Sequence, residues 1–139
     1  MAELIKARPI VGGTARGEAL VSREPLSFWG GYNQETGEII DRRHPLSGQN
    51  AAGRILVLPH SRGSSTTTAV LLEALRAGTA PAAIVTTAED AFFALAAVVA
   101  EEMYGSAIPI LSVDLVEFER LETGQQIQIE ADGTVHLDE

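Results

Sequence analysis

A run of hydroxyl side chains follows a single cation near the middle of the chain. Arg62 and Gly63 stand directly before five residues that all carry a hydroxyl, residues 64–68. The first backbone N–H groups of a helix have no partner within the helix, and together with the helix dipole they attract anions. Arg62 adds a planar charged group suited to a carboxylate or a phosphate, and Gly63 lets a ligand approach the backbone. The segment therefore predicts a site for an anionic ligand.

Two other interpretations of this segment remain open. Ser and Thr are preferred helix N-caps, so the run could serve only to begin a helix, although a cap needs a single hydroxyl. Ser64 with His60 as its base would suggest a nucleophilic hydrolase. The G-x-S-x-G turn of such enzymes is absent, because Thr66 stands where the second glycine should be. The P-loop motif of nucleotide-binding proteins is excluded, since its G-x-x-x-x-G-K-[ST] spacing is missing.

The elements around this segment alternate between buried strands and helices. Residues 54–58, 81–87 and 108–113 are apolar runs typical of strands covered on both faces. Helices are predicted over 65–78 and 88–105, each ending at a glycine in the position of a C-terminal cap. The alternation predicts parallel strands joined by crossover helices. The hydroxyl run would then lie at the carboxyl end of a strand, where open α/β sheets bind their ligands.

The two ends of the chain have the pattern of β-structure. Residues 3–11 and 17–23 form short strand-like runs joined through glycines. Residues 125–139 predict a hairpin, because Asp132 and Gly133 form the strongest short turn signal in the chain. The sequence as a whole predicts an α/β fold with a strand–helix core flanked by β-hairpins.

Residues 25–53 show little periodicity and predict a long loop. A loop of this length inside a compact domain is usually functional or disordered. The aromatic pair of Phe28 and Trp29 favours order. Asp41 and His44 are expected to hold the loop in place.

Composition limits the classes of partner. The 139 residues suit one domain, residues 1–139. The net charge of −9 argues against nucleic acid, whose binding needs a basic surface. No apolar run reaches the length of about 18 residues that a membrane span needs. The N-terminal residues lack the apolar segment of a secretory signal.

The sequence contains no cysteine. Its absence removes disulfides, thiolate catalysis and any iron–sulfur cluster held by this chain. It is compatible with the reducing cytoplasm, which is the expected location. The three histidines, His44, His60 and His136, lie far apart and lack metal-ligand spacing. No metal or other cofactor is predicted for this chain.

Several motifs between about residues 9 and 118 carry a family resemblance. They are "SFWGG", the D-x-x-H-P-L pattern in "DRRHPLSG", "GRILVLP" with "SRGSS", and "VAEEMYGSAIPIL". Together they resemble the small subunit of the aconitase X family. The resemblance implies the swivelling β/β/α domain of aconitase, which agrees with the elements predicted above. His60 and Ser61 depart from the residues usual in the family before the Arg-Gly pair.

The resemblance implies a hydro-lyase, an enzyme that removes water from a hydroxy acid. Family members act on cis-3-hydroxy-L-proline in bacteria or on (R)-5-phosphomevalonate in archaea. It also implies a heterodimer in which the large, aconitase-like subunit carries an iron–sulfur cluster. By position in the motif, Ser64 would be the proton acceptor and donor. Arg62, Gly63, Ser65 and Thr66 would bind the substrate, and the loop at Phe28, Trp29 and Gly30 would pack over the site.

A reactive serine needs more positive charge than this chain offers locally. Each unit by which a pKa falls requires about 1.4 kcal/mol of differential stabilisation. A helix N-terminus supplies roughly 0.3–1 kcal/mol, and at most about 2. Arg62 is the local cation, so the remaining positive charge is expected from the partner subunit. The isolated chain is therefore predicted to be inactive.

Three functions from different classes remain open. The chain is a catalytic subunit of a dehydratase, an independent anion-binding module, or a scaffold that completes a partner's cavity. For the dehydratase, hydroxyproline is the favoured substrate, because a phosphate ligand would call for more cations than Arg62, Arg42 and Arg43. Phosphomevalonate is the alternative substrate.

Overall fold

The structure is a computed structural model and describes residues 3–63, 65–106 and 108–138. Across these residues the chain forms ten β-strands and three α-helices. In chain order they are β1 (Glu3–Lys6), β2 (Arg8–Val11), β3 (Ala15–Val21), β4 (Leu26–Ser27), β5 (Ile55–Val57), β6 (Ser61–Arg62), α1 (Ser65–Ala77), β7 (Ala83–Thr86), α2 (Ala91–Tyr104), β8 (Ile110–Ser112), α3 (Leu115–Arg120), β9 (Gln126–Ile129) and β10 (Thr134–Asp138).

The centre of the fold is a parallel sheet, as the alternation of strands and helices predicts. β3, β5, β7 and β8 lie side by side in that order and run parallel. Every residue of β5 and β7 is buried, because both faces of these strands are covered. The continuous apolar runs in the sequence therefore reflect their true environment.

Both crossover helices cover the same face of this sheet. The apolar side chains of α1 and α2 pack with Leu56 and Ile84 in one hydrophobic cluster. Each helix is followed by a glycine with positive φ, Gly78 at +80° and Gly105 at +68°. The N–H of Gly105 also bonds to the carbonyl of Glu101. Both predicted C-terminal glycines are confirmed.

The second cluster lies between the parallel sheet and an antiparallel layer. Ile55 and Val57 of β5 turn away from the helices and pack against β1, β9, β10 and α3. β9 and β10 form the predicted hairpin, with Gly133 at φ +92° in its turn. The layers are thus β, β and α. This confirms the α/β fold with flanking β-structure.

The strand-like run at residues 3–11 is divided at Ala7. β1 pairs with β10 and β2 pairs with β8, so the two pieces lie at opposite ends of the eight-stranded sheet order. Because Ala7 alone connects β1 to β2, the sheet must curl so that its first and last strands meet at this residue. The N–H of Ala7 bonds to the carbonyl of Gly133 at this point. Pro9 lacks an N–H and is accommodated in β2, an edge strand with an irregular register.

The loop at residues 25–53 is ordered by local pairing. Isolated bridges join Tyr32 to Ile39 and Glu38 to Asn50. Phe28, Tyr32 and Ile39 are buried in the cluster that contains the helices. No sequence pattern predicted α3, which is only six residues long and packs Phe118 under the antiparallel layer. Among the described residues, no helix is long and apolar enough to cross a membrane.

Candidate functional site

The candidate site lies beyond the carboxyl ends of β5 and β7, as the sequence predicts. The chain leaves β5 at Val57, forms the short strand β6 at Ser61–Arg62, turns at Gly63 and enters α1 at Ser65. Ser64 lies outside the described residues. The predicted proton-transfer residue is therefore known by its position in the chain, between Gly63 and Ser65.

Gly63 has a backbone conformation that favours glycine. Its φ is +112°, which L side chains rarely adopt. Space is not the reason, since an added Cβ would lie 3.6 Å from the Oγ1 atoms of Thr66 and Thr67, an ordinary contact distance. The turn into α1 therefore depends on the backbone freedom of this residue.

The hydroxyl run is divided between structural and exposed side chains. Thr67 is fully buried, and its Oγ1 is 3.5 Å from the carbonyl oxygen of Arg62. The hydroxyl of Thr68 donates to the carbonyl of Phe92, which ties α1 to the start of α2. Ser65 and Thr66 are exposed at the first turn of α1. The surplus of hydroxyls beyond one cap is thus partly explained by packing between the helices.

Arg62 presents its side chain to solvent. No ion pair or side-chain hydrogen bond of Arg62 occurs within the described part of the chain. Its neighbour His60 is also exposed, and the Nδ1 atom of His60 lies 2.7 Å from the carbonyl oxygen of Ser61. Because a carbonyl only accepts, Nδ1 carries the proton in this bond.

A short parallel pairing brings the loop at residues 25–53 to the site. β4 pairs with β6, placing Leu26 opposite Ser61 and Ser27 opposite Arg62. The segment that contains Phe28, Trp29 and Gly30 therefore begins directly beside the Arg-Gly turn.

The members of this segment have different environments. Phe28 is fully buried, and its ring contacts Tyr32 and Phe93. Its side chain therefore packs in the hydrophobic core and supports the loop. Trp29 is 69% exposed, and Gly30 is exposed with φ +75°. Trp29 therefore lies outside the core, on the surface next to the candidate site.

His44 anchors the same loop to Ser22, the residue that follows β3. The side chain is buried, and its Nδ1 accepts the N–H of Leu46 at 3.1 Å. Its Nε2 must then carry the proton, and it lies 3.4 Å from the hydroxyl oxygen of Ser22. Asp41 closes the preceding turn by accepting the N–H of Arg43. These bonds agree with the expectation that Asp41 and His44 hold the loop.

Asp90 is a residue of this junction that sequence reasoning missed. It follows β7 and is the N-cap of α2, where its Oδ1 accepts the N–H groups of Phe92 and Phe93. Its Oδ2 accepts both the N–H and the hydroxyl of Ser61, each at 2.7 Å. An Asp before an apolar helix is a cap signal in sequence, but nothing in the sequence indicates the contact with Ser61.

Two observations concern the donors that a metal ion or an iron–sulfur cluster would need. Within the described residues, no three His, Asp or Glu side chains are grouped to hold a metal ion. The complete sequence has no cysteine to supply a thiolate.

Comparison with known proteins gives the family. The sequence-family model of the aconitase X swivel domain matches residues 4–137 of this chain. The chain belongs to the aconitase X swivel-domain family. A crystal structure of Thermococcus kodakaraensis aconitase X in its holo-form superimposes with a TM-score of 0.86 at 37% identity, covering 99% of both chains. A solution NMR structure of a UPF0107 protein matches with a TM-score of 0.85 at 38% identity, covering 99% of this chain and 100% of the other.

Curated relatives of this swivel domain have two kinds of name. The cis-3-hydroxy-L-proline dehydratase of Pseudomonas aeruginosa is 50% identical over 109 residues, which are 78% of this chain and 19% of that protein. The phosphomevalonate dehydratase small subunit of Thermococcus kodakarensis is 38% identical over 129 residues, 93% of this chain and 91% of that subunit. The chain thus spans about a fifth of the first relative and nearly all of the second.

Proposed function

We propose that this chain is the small subunit of a heterodimeric hydro-lyase that dehydrates cis-3-hydroxy-L-proline, with Ser64 as proton acceptor and donor. Its partner would be a large aconitase-like subunit, and its location the cytoplasm. The observation that carries the substrate is the 50% identity over 109 residues with a relative named for this dehydration. This sequence identity is the highest among the relatives compared above.

Removal of water from a hydroxy acid needs a base for the proton next to the carboxylate and an acid for the leaving hydroxyl. We assign the proton to Ser64, which stands between Gly63 and the first residue of α1. Exposed Arg62 and the exposed first turn at Ser65 and Thr66 support this assignment, because they offer a cation, N–H groups and hydroxyls to a carboxylate. This chain would therefore bind the substrate anion and move the proton.

Local charge argues that the other half of the site comes from the partner. The helix N-terminus supplies roughly 0.3–1 kcal/mol and at most about 2 kcal/mol, which at about 1.4 kcal/mol per unit lowers the pKa of a serine by about 1.5 units at most. The buried carboxylate of Asp90 lies at the same junction and opposes a second negative charge. Positive charge beyond Arg62 is therefore required from the large subunit.

The iron–sulfur cluster implied by the family does not fit the donors of this chain, which has no cysteine. We propose that the large subunit holds the cluster.

Phosphomevalonate is the second candidate substrate. The chain covers 91% and 98% of the phosphomevalonate dehydratase small subunits of Thermococcus kodakarensis and Thermococcus sibiricus. It covers only 19% and 22% of two cis-3-hydroxy-L-proline dehydratases. The agreement in chain length thus favours phosphomevalonate, whereas the sequence identity favours cis-3-hydroxy-L-proline.

The test is an assay of the reconstituted complex with both substrates. We expect turnover of cis-3-hydroxy-L-proline by the complex and none by the purified chain alone. Ser64→Ala should abolish turnover while the subunits still assemble, and Ser65→Ala is the matched control that retains measurable turnover. Preference for phosphomevalonate would select the second candidate. Activity of the isolated chain, or an active Ser64→Ala complex, would contradict the proposal.

A further inference from the structure

The two oxygens of the Asp90 carboxylate bind different parts of the chain. Oδ1 accepts the N–H groups of Phe92 and Phe93 at 3.1 and 3.2 Å, which caps α2. Oδ2 accepts the N–H and the hydroxyl of Ser61 at 2.7 Å each. Asp90 is buried, at 7% exposure. Four donors therefore share one buried carboxylate.

Capping alone does not explain this arrangement. A Ser or Asn side chain caps a helix as well as Asp does, and a cap uses one oxygen. The second oxygen is directed at a residue 29 positions earlier in the chain. Its two bonds are short and involve a charged acceptor, so they are stronger than neutral hydrogen bonds. They hold a particular segment in place.

The segment held by Asp90 leads directly into the candidate site. Ser61 begins β6, which has β4 on one side through the pairing of Leu26 with Ser61. The next residues are the exposed Arg62 and the Gly63 turn at φ +112°. A shift of Ser61 would therefore displace the backbone on which both the cation and residue 64 are carried.

The geometry points to Asp90 as a positioning residue for the dehydration: by binding Ser61 it fixes the approach of the Arg62–Gly63 turn to the substrate. The inference rests on the proposed function, because it assigns the effect to proton transfer at residue 64. Asp90 acts through Ser61 and does not touch the reacting atoms. Misplacement of a reacting group by about 1 Å costs up to about 100-fold in rate.

Three variants separate positioning from capping. Asp90→Ser keeps a preferred N-cap on α2 but removes the carboxylate oxygen that binds Ser61. Ser61→Ala leaves Asp90 intact and removes one of its two bonds to Ser61. Ala100→Gly is the control: it weakens the same helix by about 1 kcal/mol at a buried position far along α2 from the cap.

We expect kcat of the reconstituted complex to fall about 10- to 100-fold in Asp90→Ser and less in Ser61→Ala. KM should rise as well, because the displaced turn carries Arg62, which we assign to binding the substrate anion. Ala100→Gly should keep kcat near that of the original complex. An unchanged kcat in Asp90→Ser, or an equal fall in Ala100→Gly, would overturn the inference.

Amide hydrogen exchange of the full chain tests, independently of turnover, whether Asp90 holds Ser61 in place. In Asp90→Ser we expect the Ser61 amide to exchange at least about tenfold faster, while amides in the centre of α2 keep their protection. Unchanged exchange at Ser61 would overturn the inference. If the original complex dehydrates neither substrate, the proposed function fails, and the exchange result still decides whether Asp90 fixes Ser61.

Discussion

The ring of Phe28 lies parallel to the ring of Tyr32, with 4.8 Å between the centroids and 2° between the planes. The ring of Phe93, on α2, is inclined at 63° to the ring of Phe28, with 5.1 Å between the centroids. These three rings join the loop at residues 25–53 to the helical layer. The loop therefore belongs to the hydrophobic core at its base, although Trp29 beside it faces solvent.

Adjacent residues of this loop should differ sharply in their contribution to stability. Phe28→Ala removes a fully buried ring and should lower the free energy of unfolding by about 3–5 kcal/mol. Trp29→Ala removes a largely exposed ring and should change it by less than about 0.5 kcal/mol. Urea denaturation of the two variants measures both values. Equal losses would show that Trp29 also packs in the core.

Tyr32 should make stability depend on pH at the alkaline end. Burial raises the pKa of Tyr32 above its ordinary value of 10.0, and its hydroxyl donates to the carbonyl of Thr79 at 2.7 Å. Tyr32→Phe should cost about 1 kcal/mol at neutral pH. Because the pKa is raised on folding, the contribution of Tyr32 is complete below pH 10 and declines as the pH rises further.

The predicted consequence is a crossover between the two proteins. Above pH 10 the original chain should lose an additional ~1.4 kcal/mol per pH unit from Tyr32, whereas Tyr32→Phe should not. Their free energies of unfolding should therefore become equal about one unit above pH 10. Urea denaturation at a series of pH values measures this. If the difference in unfolding free energy between the two proteins stays constant across the pH series, ionisation of Tyr32 does not cause the alkaline loss of stability.

Arg62 should matter for function and not for folding. Its side chain is exposed, so Arg62→Ala should change the free energy of unfolding by less than about 0.5 kcal/mol. In the reconstituted complex, loss of a hydrogen bond from a charged group should lower kcat/KM by about 10- to 100-fold. Lys6→Ala, on the antiparallel layer, is the control and should leave kcat/KM unchanged. Equal activity of both variants would remove Arg62 from the site.

Two glycines with nearly the same φ should respond differently to alanine. Gly37 and Gly48 have φ of +87° and +86°. Around Gly48 nothing lies within 4 Å of an added Cβ, so Gly48→Ala should cost only the backbone strain, about 1–2 kcal/mol. At Gly37 the added Cβ would lie 2.7 Å from the Cβ of Ala52 and 2.8 Å from the carbonyl oxygen of Thr79.

Gly37→Ala should therefore cost the strain and, in addition, about 1–3 kcal/mol for overpacking. Chemical denaturation of both variants gives the difference directly. If Gly48→Ala proves as destabilising as Gly37→Ala, steric contact is not the deciding factor at Gly37.

The sequence by itself determined the elements whose signals are local. The short apolar runs at residues 54–58 and 81–87 predict buried strands, and glycines after the helical patterns end α1 and α2. Asp132 and Gly133 specify the last hairpin through their own backbone preferences. The order of these elements then requires parallel strands with crossover helices. The row of hydroxyls after Arg62 and Gly63 marked the strand end where the candidate site lies.

Only the tertiary structure decided the relationships between distant segments. Residues 3–11 read as one strand-like run, yet the sheet divides them at Ala7, because its two ends must meet there. Phe28 turns inward and Trp29 outward because α2 supplies an aromatic neighbour for one and not the other. The bond between Asp90 and Ser61 joins residues 29 positions apart. Backbone preferences act over a few residues, whereas these contacts depend on how the packed layers place distant parts of the chain.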